Sequence, residues 1–212
     1  MGEVIKMGEQ SDWYRSFPAL QEQETEGVDY RIRMEDKSSL VAVIAPHGGY
    51  IEPTTSEITL EIASGSFSAY CFEGLREGRP HHELHITSEC FREPKALALV
   101  SAALIVVAIH GRANGDDLET SWVGGLDVVL RDLIVEALSE GGFAVVARVK
   151  GEPLAGIGVR NICNQGKRNA GVQIEIPRAL RDELAADSEQ LRHYATSVRE
   201  AISRYATMLE AG

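Results

Sequence analysis

Leu40-Val-Ala-Val-Ile-Ala45 runs without a polar interruption into Pro46-His47-Gly-Gly-Tyr-Ile-Glu52. An apolar run this short, with no alternation, is the pattern of a strand buried on both faces, as in the middle of a parallel sheet. The pattern recurs at Leu104-Ile-Val-Val-Ala-Ile109, which passes directly into His110-Gly111. Two buried strands therefore end alike, each in a histidine followed by glycine. In open α/β sheets ligands bind just outside the carboxyl ends of the strands. If the two strands are neighbours, both imidazoles arrive at one crevice.

Working outward, the segments between these strands read as helices and further strands. Thr54-Thr-Ser-Glu57 fits a capping box opening a helix to about Ala63. Gly65 to Phe72 reads as a strand, and Leu84-His-Ile-Thr87 as another. Pro94 suits the first turn of a helix to about Ala103. Leu126 to Glu140 carries one apolar stripe at helical spacing and stops at Gly141-Gly142. Phe143 to Val149 and Gly171 to Ile176 are strands, Pro177 opens a short helix, and a last helix runs from about Ser188 to Leu209. Strands alternating with helices predict an α/β fold with a central, mostly parallel or mixed sheet flanked by helices. With no Pro/Gly/Ser-rich linker and no repeat, residues 1–212 are expected to form a single domain.

The bulk numbers remove several functional classes. No apolar stretch approaches the ~20 residues of a membrane span. Met1 to Gln10 carries Glu3, Lys6 and Glu9 where a signal peptide needs an apolar core, so a cytoplasmic product is expected. Cys71, Cys90 and Cys163 are too few and too scattered for a disulfide framework or a thiolate metal site. The formal charge of −11 sets the chain against nucleic-acid phosphate. A monomer is expected.

Histidine is the commonest protein ligand for zinc, and a catalytic zinc has three protein ligands with the fourth position open. Glu52, five residues after His47, can fold back to reach the same ion; Glu57 is its rival but has the cap to serve. A pair of hydrogen-bonded structural histidines accounts for the spacing equally well. His85 reads as a substrate contact, a residue behind a ligand, or a half-buried histidine, and these stay open. Glu175, in Gln173-Ile-Glu175-Ile-Pro177, points opposite to two apolar neighbours: a general base near the crevice, or a surface carboxylate. Asp116 and Asp117, shortly after His110, are the next carboxylates to consider for that role.

Taken in order, these motifs resemble the phage-type poly-γ-glutamate hydrolase family, whose fold is similar to zinc carboxypeptidases. The resemblance rests on Ala45-Pro-His-Gly-Gly-Tyr-Ile-Glu52 with Thr55-Ser-Glu57, and on Tyr70-Cys-Phe-Glu-Gly74. Leu84-His-Ile-Thr-Ser88, Ile109-His-Gly111, Val123-Gly-Gly125, Asn161-Ile-Cys-Asn164 and Gly171-Val-Gln-Ile-Glu175 continue it. It covers about Asp29 to Arg181, with Pro46 and Arg92 as departures. It implies one Zn²⁺ per chain on His47, Glu52 and His110, with Glu175 as general base by analogy with carboxypeptidases. The implied reaction is hydrolysis of a γ-glutamyl amide bond in a polyanionic polymer or peptide.

A polymer with one carboxylate per residue needs a local positive groove on so acidic a protein. Arg76, Arg79, Lys95 and Arg112 form one cluster of candidates, and Arg160, Lys167 and Arg168 another; Arg112, Arg160 and Arg168, with His85, are the residues expected to meet substrate. Arginine grips carboxylates through its bidentate fork. The competing readings keep the zinc but change the substrate to a peptidoglycan stem peptide or an N-acyl amino acid. A third makes the chain a non-catalytic phage accessory binding protein, against which an open three-ligand site argues.

Overall fold

The computed structural model describes residues 12–211, so the signal-peptide reading of Met1–Gln10 lies outside them. In chain order the elements are α1 (Phe17–Gln21), β1 (Tyr30–Glu35), β2 (Val41–Gly49), α2 (Thr55–Ala63), β3 (Ser68–Gly74) and α3 (Pro94–Ala102). They continue with β4 (Ile105–Arg112), β5 (Ser121–Gly125), α4 (Val128–Glu140), β6 (Val145–Ala147), β7 (Val172–Pro177), α5 (Arg178–Ala186) and α6 (Ser188–Ala211).

The strands form one seven-stranded mixed sheet in the order β1-β3-β2-β4-β7-β5-β6. Its centre, β3-β2-β4-β7, is parallel, while β1 on β3 and β5 on β7 are antiparallel. The two apolar runs are indeed neighbours, Val41–Ile44 lying beside Ile105–Ala108. Alternate residues divide between two cores. Val41, Val43, Val107, Ile109, Ile174 and Ile176 pack with α2, α4 and α6 on one face. Ala42, Ile44, Val106 and Ala108 pack with α1, α3, Tyr70, Phe72 and Phe91 on the other. On β7 this alternation sends Gln173 and Glu175 to the second face. His110 is the register partner of Glu175, so the two share that face at the carboxyl ends of their strands.

Two expectations are corrected. Leu84–Thr87 is not a strand: a 3-10 turn at His81–Glu83 leads into irregular chain. The sheet edge beside β3 is already taken by β1. Leu84 and Ile86 are buried all the same, and that alternation imitated a strand. The capping box at Thr54 does not form either. Thr54 is the N-cap, but it sits in the left-handed region at φ 77°, and its side chain makes no cap bond. A capping side chain reaches its donors from an extended N-cap backbone. The neighbouring hydroxyls serve the preceding loop instead: Thr55 Oγ1 donates to the Glu52 carbonyl (2.7 Å), and Ser56 Oγ accepts from Gly49 N–H (3.3 Å).

Candidate metal centre and active-site cleft

A cleft of about 1390 Å³ opens at the carboxyl ends of the central strands, and His47, Glu52, His85, His110, Arg112 and Glu175 all line it. His47 arrives where β2 slips register against β3, between Ala45 and Gly48. The chain then folds back, Glu52 N–H donating to the His47 carbonyl (2.9 Å), which returns the Glu52 carboxylate to the strand end. Gly111 N–H fixes that carboxylate by donating to Oε2 (2.7 Å). Glu57, the rival carboxylate, lines a separate groove.

The His47 ring can be oriented from its partner. His47 Nε2 lies 2.8 Å from the Ile86 carbonyl, which can only accept, so Nε2 carries a hydrogen and, in the neutral ring, Nδ1 a lone pair. That Nδ1 faces Glu52 Oε1 at 3.3 Å and His110 Nδ1 at 3.2 Å. His110 Nδ1 is in turn 3.8 Å from Glu52 Oε2. Burial above all, against the pull of Glu52, holds the His110 pKa down at about 3, so its ring is neutral at physiological pH. Burial also opposes charge on His47, but the Glu52 carboxylate outweighs it and the pKa rises. Two imidazole nitrogens and a carboxylate thus converge on a point that favours positive charge. Zinc–nitrogen bonds of about 2.0–2.1 Å set tetrahedral ligands roughly 3.3 Å apart, so the spacing fits that ion.

His85 is a further donor. Its Nδ1 pairs with Asp12 Oδ1 at 2.8 Å, its ring stacks 4.0 Å from that of His47, and a ligand atom lies within 4.8 Å of those of His47 and Glu52. Burial and the adjacent His47 lower its pKa to about 4, leaving it neutral. His110 is the more deeply buried of the two, and its Nδ1 approaches His47 Nδ1 directly.

Glu175 is buried, not a surface carboxylate. Burial, reinforced by the Glu52 charge and opposed by Arg112 and Arg181, lifts its pKa well above the usual carboxylate range. Asp117, the fallback, is occupied elsewhere: it accepts from Arg112 (2.9 Å), Trp122 Nε1 (3.2 Å) and the Thr120 backbone (3.0 Å).

The candidate arginines separate. Arg112 is buried in the cleft wall, stacked on Trp122 with its Cζ 4.0 Å from the ring centroid. Arg160 is exposed on the adjoining loop, where its carbonyl accepts from Arg92 (2.9 Å). Arg168 precedes the amino end of β7, whereas the cleft opens at the carboxyl ends, and it is paired with Asp127. The spacing alone did not tell which end of the strand it would meet. Arg76 and Arg79 pair with Asp29 and Glu24, so they act as internal ties. Sequence reasoning missed Arg181, a buried cleft residue that donates to the Pro53 and Ile176 carbonyls. It also missed Gln173, although two polar residues at alternate positions of β7 were a usable signal.

Fold and cleft together define the α/β class in which zinc carboxypeptidases fall. A model of the poly-gamma-glutamate hydrolase family matches residues 14–208, and the chain belongs to that family. The SPbeta prophage-derived protein YoqZ of Bacillus subtilis (strain 168) is 38% identical over 174 residues, 82% of this chain and 62% of YoqZ, so the chain spans less than two thirds of that relative. YndL of the same organism is 38% identical over 173 residues, 82% of this chain and 67% of YndL. Among solved structures, a bacteriophage poly-gamma-glutamate hydrolase matches at TM-score 0.85 and 31% identity, over 93% of this chain and 100% of that one. Zinc-free YndL matches at TM-score 0.84 and 32% identity, over 91% and 98%. N-formylglutamate amidohydrolase from Ralstonia eutropha JMP134 shares the fold alone, with TM-score 0.56 and 12% identity over 84% and 98%.

Proposed function

We propose that residues 1–212 form one zinc-dependent hydrolase domain that cleaves γ-glutamyl amide bonds, with poly-γ-glutamate as substrate. The observation that carries this reading is the convergence of His47, His110 and Glu52 on one point, beside the buried Glu175 in the same cleft. Family membership supports the substrate class, and the zinc-free form of YndL supports the metal.

His47 and His110 would hold the ion through Nδ1, and Glu52 through its carboxylate. Bound there, zinc would supply Lewis acidity, polarising an amide carbonyl and acidifying water to a pKa of about 7. Glu175 takes the proton of the attacking water as the new C–O bond forms, then delivers it to the amine nitrogen as the C–N bond breaks. A buried carboxyl that binds its proton well is suited to that second delivery. Arg112, Arg178 and Arg181, all in the cleft wall, supply positive charge for substrate carboxylates.

The test is incubation of the purified protein with poly-γ-glutamate and with short γ-glutamyl peptides, following polymer length and released amine. Zinc-loaded wild type should shorten the polymer. Glu175→Gln should keep zinc and fold while kcat falls by about 10²–10⁴ with little change in KM. Cleavage of short peptides alone would move the substrate away from the polymer, and near-normal kcat in Glu175→Gln would remove Glu175 from the reaction.

A further inference from the structure

Beside Glu175 lies a chain of hydrogen bonds whose direction is fixed from one end. Asn161 Oδ1 accepts from the Cys163 backbone N–H (3.1 Å), which can only donate. That sets the Asn161 amide, whose Nδ2 donates to Gln173 Oε1 (2.7 Å). Gln173 Nε2 is thereby turned to the opposite side, where it donates to Glu175 Oε1 (2.9 Å) and to the Leu154 carbonyl (3.0 Å). Reversing the Gln173 amide would set two donors against each other at Asn161. It would also set oxygen against oxygen at Leu154 and Glu175. Asn161, Gln173 and Glu175 are all at least nine-tenths buried, so water is poorly placed to compensate a reversal. The surrounding loop is built around this side chain: Gly156, at φ +64°, packs so close that a Cβ there would lie 2.5 Å from Gln173 Cδ.

We propose that Gln173 is the positioning residue for the general base, oriented by Asn161, and that it reserves Glu175 Oε1 as an acceptor so that proton transfer takes place at Oε2. This rests on the reading of Glu175 as the base. Gln173 sits two residues before Glu175 on the same face of β7, which is how a strand sets one side chain to brace another.

The experiment compares Gln173→Met, Gln173→Glu and Asn161→Asp, each alone and in the Glu175→Gln background, with zinc content and thermal midpoint measured throughout. Gln173→Met removes the donor at similar volume, and kcat should fall about 10–100-fold with KM nearly unchanged. Gln173→Glu keeps the shape but sets an acceptor against Glu175, so it should be slower than Gln173→Met; a packing role predicts the reverse. Asn161→Asp removes the donor that orients Gln173, and should lower kcat from two side chains away. In the Glu175→Gln background none of the three should cost a further factor, because they act through the group already removed. Equal losses in both backgrounds, or Gln173→Glu matching or exceeding Gln173→Met, would overturn the proposal while leaving Glu175 as base. Full kcat in Glu175→Gln would overturn the base itself. Should either Gln173 variant fail to fold, Asn161→Asp with its cycle decides the matter.

Discussion

At the residue scale, two histidines are candidates to complete the proposed metal centre, and metal content separates them. His110→Ala should lose most of the zinc, because two remaining donors hold it poorly. His85→Ala should retain it, with affinity weakened about 10–100-fold, as for groups placed behind a ligand. Glu57→Ala should leave zinc bound, since that side chain lines another groove. Chelator competition on the three variants gives the order, and full occupancy in His110→Ala would put His85 in its place. The meeting of His47 and His110 at one cleft was legible because an apolar run ending in histidine and glycine marks a strand end, and strand ends are where open sheets bind. Arg181 was not legible. Its place is set by a guanidinium lying over Gly111, so close that a Cβ there would fall 2.5 Å from Cζ, and no sequence interval encodes that contact.

At the scale of elements, the region around α1 is tied down by charge. Arg79 donates to both Glu24 oxygens, and Tyr14 O–H donates to Oε1 (2.6 Å). The Arg79 hydrogen bond, partly offset by burial, holds the Glu24 pKa below the usual value. A carboxylate depressed in the fold contributes stability that is complete above its unfolded pKa of about 4.3 and is lost as pH falls through the folded value. Glu24→Gln should therefore lower the thermal midpoint at neutral pH, and the gap from wild type should narrow as pH drops below about 4. A gap constant from pH 7 to 3 would mean that the ion pair contributes nothing. Elements with long apolar stripes, such as α4 and α6, were readable from their period. β5 was not: it has five residues, ends in Gly124-Gly125, and owes its place to the antiparallel register with β7. β1 was missed for a like reason, its outward residues being charged as befits an edge strand.

At the scale of the whole molecule, a net charge of −11 opposes a polyanion while Arg112, Arg178 and Arg181 in the cleft attract it. If the local field governs binding, KM for poly-γ-glutamate should rise with ionic strength as those contacts are screened, and kcat should change less. A KM that falls with salt would give the net charge the larger part. The adjacency of β2 and β4 has another outcome. His47 and Glu52 belong to the end of one strand and His110 to the end of the other, and only their pairing brings the donors together. A cation held there would act as a clasp across the middle of the sheet, absent from the unfolded chain and therefore linked to folding. Binding at a hundred times Kd adds about 2.7 kcal/mol, so chelation should lower the thermal midpoint of wild type and leave that of His110→Ala nearly unmoved. The proposed ion would then serve as an assembly gauge: a chain in which β4 has not yet settled beside β2 would offer it no seat, and a loaded one would have finished its central sheet.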